Sequence, residues 1–129
     1  MVKAIGGTIA ALILLAAVAF CTVQLNPTMF MSDFDRHQFE DCSAMTGGCN
    51  MIPGYFQVGE TRAEVASRMA REGYAHYPSN DPTGHFTDEF DKRGGSMSFA
   101  CSFDFNVLAR FDETGRLEKI GGYRKSWCL

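Results

Sequence analysis

The residues with the most chemistry to offer are three histidines beside carboxylates and five cysteines spread along the chain. His76 and His85 stand ahead of Asp88 and Glu89, and imidazole with carboxylate is a donor set that zinc accepts. Their spacing fits no recognised ligand pattern, and such residues in a polar loop are ordinarily solvated. His37 precedes Glu40 and Asp41 by three and four positions. On a helix that spacing gives a surface ion pair rather than an acid–base site. No Gly-x-Ser-x-Gly elbow, phosphate-cradling glycine loop or His-Glu-x-x-His occurs. The expectation is therefore no catalysis, no cofactor, no resident metal and no small-molecule substrate. A small metal-binding protein or enzyme using His76 and His85 is the alternative in that class.

The cysteines point to covalent staples. Four of them, Cys42, Cys49, Cys101 and Cys128, fall in the polar part of the chain, and an even number in a small exported domain reads as two disulfides. Three pairings are open. The preferred one joins Cys42 to Cys49 across a short loop through Thr46-Gly47-Gly48, and Cys101 to Cys128 between two late strands. Zinc-like close spacing and Cys-x-x-Cys are both absent.

These side chains need elements to hold them. Residues 4 to 25 contain no charge, and about 22 apolar residues suffice to cross a ~30 Å hydrocarbon core. Lys3 precedes the run, whereas Asp33, Asp35, Glu40 and Asp41 follow it. A cytoplasmic N-terminus and an exported C-terminal domain are expected, in a bacterial inner membrane crossed once. Cleavage after Ala17-Val18-Ala19, just before Phe20, and lipidation at Cys21 are the competing fates. Gly6 with Ala10, and Gly7 with Ala11, are small-xxx-small pairs of the kind that let membrane helices pack closely. On this reading residues 1–25 form the anchor, 26–57 a juxtamembrane segment with a short helix and a disulfide loop, and 58–129 the folded domain. Asn26-Pro27 ends the apolar run.

Within the domain, Thr61 and Glu64 form a capping-box pair, Val65 and Met69 begin an apolar stripe, and Gly73 supplies a stop. This predicts a helix from Arg62 to Glu72. Tyr74 to Tyr77 reads as a short strand, Pro78 to Gly84 as loop around Asn80-Asp81-Pro82, and Phe86 to Asp91 as a helical turn broken by Gly94-Gly95. From Met97 through Phe99, Cys101 and Phe103 to Phe111 the apolar period becomes two, a strand pattern. Asp112 to Gly115 turns the chain, and Arg116 to Trp127 returns. If Asp112 lies opposite Leu117, constant register sets Cys101 opposite Cys128.

Gly59, Thr61, Glu64 and Val65 at the helix start, with Phe111, Asp112, Gly115, Arg116 and Leu117 at the hairpin, resemble the SmpA/OmlA family over roughly residues 58–123. That family includes the small lipoprotein subunit of the bacterial outer-membrane β-barrel assembly machinery. The resemblance implies an α+β fold with helices on one face of a three-stranded antiparallel sheet, and a role in protein–protein contact without catalysis. The chain departs from the family at Val18-Ala19-Phe20-Cys21, at Arg71-Glu72-Gly73-Tyr74 and in the stretch from Tyr77 to Gly95.

The net charge of −3 is spread without a basic face, which excludes a nucleic-acid partner. Arg116, Lys119, Tyr123, Arg124, Lys125 and Trp127 cluster cations with aromatics in the final strand, a composition common at interface centres. The function expected is a periplasmic accessory or scaffold subunit that contacts a larger inner-membrane complex and membrane lipid. A secreted binding or inhibitor module is the alternative if the first segment is cleaved.

Overall fold

The structure is a computed structural model that describes residues 2–25, 28–42, 48–80, 85–96 and 100–129. It divides into two compact units, Met1–Phe30 and Met31–Leu129.

The first unit is a single helix, α1 (Val2–Leu25), in which the side chains described are those of residues 7–21. Among the described residues no helix is long and apolar enough to cross a membrane. That corrects both the N-terminal transmembrane helix and the single-pass inner-membrane address. Gly7, Ala10 and Ala11 are exposed, a Cβ built on Gly7 would meet nothing within 4 Å beyond its chain neighbours and the adjacent helix backbone, and the burial of Gly6 is outside the described set.

In the second unit the sequence forms α2 (Asp33–Asp41), β1 (Cys49–Asn50), α3 (Arg62–Arg71), β2 (Ala75–Asn80), β3 (Phe86–Ser96), β4 (Cys101–Phe111) and β5 (Leu117–Cys128). The five strands make one antiparallel sheet in the order β1-β5-β4-β3-β2. The three-stranded sheet expected from the family resemblance is thus corrected to five. Phe86 to Asp91 is strand, not a helical turn. Its inward positions are Phe86, Asp88, Phe90 and Lys92, and the two charged ones are tied by partners below, so the alternation is hidden by polarity. Gly94-Gly95 does not end the element. It bulges it, with the register shifting between Arg93 and Gly95.

α3 starts where the cap motif places it. Thr61 Oγ1 accepts from the Glu64 amide at 3.2 Å, and Glu64 Oε2 accepts from the Thr61 amide at 2.7 Å. Gly73, at φ 85°, ends it. Val65 and Met69 turn inward with Phe34 of α2 and with Met51 and Phe56 of the intervening segment. They meet Phe90, Phe103, Phe105, Val107, Ala109, Phe111, Leu117 and Ile120 from the sheet. All of these are buried on one sheet face, while among the described residues the other face carries no helix of this unit.

β4 and β5 pair as the hairpin arithmetic requires, from Cys101 opposite Cys128 to Arg110 opposite Lys119. A bulge then moves Phe111 onto Leu117. Both edges are short or blunted: β1 has two residues, and β2 carries Pro78. Met97, Phe99, Thr46-Gly47, Asn26-Pro27, Asp81-Pro82 and Gly84 lie outside the described residues.

Candidate functional site

The helix-free sheet face is built from the residues that alternate with the core. β4 sends Ser102, Asp104, Asn106, Leu108 and Arg110 to it, opposite Trp127, Lys125, Tyr123, Gly121 and Lys119 of β5. Leu108 is 42% exposed although its neighbours Val107 and Ala109 are fully buried. Because Gly121 stands opposite Leu108 and has no side chain, a groove opens over the sheet. Its volume is about 520 Å³, and Leu108, Gly121, Tyr123, Asn50, Arg110 and Lys119 are among its lining. Arg110 Nε donates to Glu118 Oε2 at 3.1 Å, whereas Lys119 has no ion-pair partner among the described residues. The groove therefore joins an apolar floor to a cationic rim.

The six residues proposed for partner binding divide among three places. Lys119, Tyr123, Lys125 and Trp127 stand on the open face; Lys125 Nζ sits 5.3 Å over the Tyr123 ring, and Trp127 Nε1 donates to Asp104 Oδ2 at 3.3 Å. Arg124 points the other way: its Nη1 donates to the Phe39 carbonyl at 2.7 Å, and its guanidinium lies 4.3 Å over the Phe39 ring. Arg116 belongs to the turn, where Nη1 donates to the Gly59 carbonyl at 3.2 Å. The groove residues that sequence reasoning missed include Leu108, Gly121, Arg110 and Asn50. Leu108 was detectable, because it is the one apolar residue out of phase in the β4 alternation.

On the core side, Asp88 is fully buried and its carboxylate is saturated. Oδ1 accepts from Arg62 Nε and Nη2 at 3.1 and 2.6 Å, while Oδ2 lies 2.9 Å from Arg62 Nε and 2.8 Å from His76 Nε2. Burial pushes this carboxyl up, but the Arg62 and His76 hydrogen bonds outweigh it and hold it below the usual range. In return the Asp88 hydrogen bond raises the Arg62 guanidinium. His76 also stacks on Phe90 at 4.7 Å between ring centroids. With every lone pair engaged, Asp88 ties α3 to β2 and β3 and has none left to act as a base.

His85 is not brought to His76. His76 lies opposite Phe90, five residues along from His85, or about 17 Å at the usual strand rise. The zinc arrangement using both histidines is not formed.

A second buried polar group closes the other end of the core. Asp35 Oδ2 accepts from Lys92 Nζ at 2.5 Å, Asp35 Oδ1 accepts from the Tyr74 hydroxyl at 3.0 Å, and Lys92 also donates to the Glu72 carbonyl at 2.6 Å. Burial, and then the Asp35 charge, push the Tyr74 phenol well above its ordinary range, so it stays a protonated donor.

Cys42 is bonded to Cys49, and Cys101 to Cys128. The first bond fastens the end of α2 to β1, and the second closes the far end of the β4–β5 ladder. Cys21 is free and exposed.

Comparison with known proteins finds no matching family model, no matching curated protein and no matching solved structure.

Proposed function

We propose that the Met31–Leu129 unit is a protein-binding module that works by contact, without catalysis, and that the open face of its sheet is the contact surface. The observation that carries this reading is the groove over Gly121, floored by exposed Leu108 and rimmed by Lys119. An exposed apolar patch edged by polar groups is the usual mark of an interaction site. The matching partner is a protein segment that offers an apolar side chain to the floor and a carboxylate to Lys119. Two further points support contact over chemistry. Asp88, a buried carboxylate held low in its range, is fully occupied by Arg62 and His76. The resemblance to the SmpA/OmlA family implies a contact role as well.

The test is site-specific photo-crosslinking in cells of origin, with a benzophenone side chain replacing Leu108 in one strain and Ser67, exposed on α3, in another. The expected result is a discrete higher-mass adduct from position 108 and none from position 67. Equal labelling from both positions, or none from 108, refutes the assignment of the open face.

A further inference from the structure

The C-terminal end of α2 holds a group of atoms that the contact role does not use. His37 Nδ1 lies 2.8 Å from Asp41 Oδ2, and His37 Nε2 lies 4.0 Å from Cys49 Sγ. The ligand atoms of His37, Cys42 and Cys49 all fall within 4.8 Å of one another. We propose that opening the Cys42–Cys49 disulfide creates a soft-metal site, in which both thiolates and His37 Nε2 bind one zinc-class cation while Asp41 orients the imidazole.

The donor chemistry and the placement agree. Two thiolates and an imidazole form a ligand set for zinc, and a three-residue set leaves a fourth position for water. A tetrahedral ion bound at ~2.3 Å to sulfur and ~2.0 Å to nitrogen separates its ligand atoms by roughly 3.5–3.8 Å. His37 Nε2 already stands close to that distance from Cys49 Sγ. Once the S–S bond is broken, the two sulfurs are free to part to the same spacing. Metal-ligating histidines typically give their other ring N–H to a carboxylate, which fixes the tautomer and aims the lone pair. Asp41 stands where that carboxylate is required. The site stands at the C-terminal end of α2, where the helix dipole adds partial negative charge and favours a cation. Cys42 is fully buried and the His37 side chain is 29% exposed, so the site is closed on the protein side and open to solvent at the imidazole.

The disulfide is the lock. A cellular dithiol supplies two electrons and two protons, becoming a disulfide itself, and Cys42 and Cys49 emerge as thiols. Cation binding then displaces both thiol protons to solvent. While the bond is intact neither sulfur is a thiolate, and the site does not exist.

The experiment uses the full chain, reduced anaerobically with a trialkylphosphine, which leaves as its oxide, and titrated with Co²⁺ as a spectroscopic stand-in for zinc. The expected result is one ion per chain, a sulfur-to-cobalt charge-transfer band and tetrahedral ligand-field bands, with neither set of bands from the unreduced chain. Asp41→Asn weakens binding about 10–100-fold, as loss of an orienting partner does, and His37→Ala weakens it at least as much. A variant lacking Cys42 and Cys49 but keeping Cys21, Cys101 and Cys128 gives no charge-transfer band, which separates this site from the other thiols. No band from the reduced natural chain, a full band from the Cys42→Ser/Cys49→Ser variant, or unchanged affinity in His37→Ala overturns the proposal.

Discussion

Replacing Arg62 with alanine tests how the helix α3 is fixed to the sheet. The substitution removes donors at 2.6, 2.9 and 3.1 Å from Asp88 and leaves a fully buried carboxylate with only His76. Removing one partner of a buried pair costs about 3–5 kcal/mol. Because the Arg62 side chain is 28% exposed and His76 remains at 2.8 Å, the lower end applies, about 3 kcal/mol. For a unit of this size that lowers the thermal midpoint by about 12–24 °C.

The pH dependence is the sharper signature. In the natural chain Asp88 is held below its unfolded value of about 3.9, so its stabilisation is present above that value and is lost as pH falls through the folded one. Without Arg62 the largest group that lowers this carboxyl is gone, while burial still pushes it up, so the folded value moves upward. The stabilisation that the ionised carboxylate supplies above its unfolded value is reduced accordingly. The gap between natural chain and variant should therefore be full at neutral pH and shrink as pH falls through the folded carboxyl's range. Adding Asp88→Asn to the variant should recover most of the loss at neutral pH. Urea unfolding followed by circular dichroism across that range measures all three. A gap that does not change with pH, or one under about 1 kcal/mol, refutes the assignment of Asp88 as a buried, ionised anchor.

Thr61→Ala removes the capping box and should lower stability by about 1 kcal/mol in the same urea measurement. Gly122→Ala introduces a Cβ only 2.7 Å from both Gln38 Oε1 and Met51 Cε, so a loss of about 1–3 kcal/mol is expected. Removing the Cys101–Cys128 bond by double serine substitution releases a loop with a sequence separation of 27, and chain entropy predicts a cost of about 3.5 kcal/mol. That cost should show as a lower thermal midpoint without change in the far-ultraviolet spectrum at 25 °C.

What the sequence disclosed followed local chemistry. The Thr61–Glu64 cap and Gly73 stop are self-contained signals, and the structure carries both. The long alternation from Cys101 to Phe111 with the Asp112–Gly115 turn defined the β4–β5 register as far as Arg110, including the meeting of Cys101 with Cys128. The failures came where distant groups decide. β3 presents Asp88 and Lys92 to the interior, which no local rule predicts, because Arg62, His76 and Asp35 that satisfy them come from other elements. Phe86 and Phe90 are also spaced as a helix face would space them. β1 is two residues long and exists only because Gly122 and Gly121 accept it at the edge. In the contact region, charge and aromatic clustering pointed to β5. Strand parity then sent Arg124 inward to Phe39, and Leu108 of β4 took its place on the open face.

The central claim is that the open sheet face makes the contact. The most direct measurement places the benzophenone probe at Tyr123 and adds Leu108→Asp with Lys119→Glu, neither of which touches the buried core. The account predicts an unchanged thermal midpoint together with loss of the adduct formed from position 123. An adduct of undiminished yield in the folded double variant contradicts it.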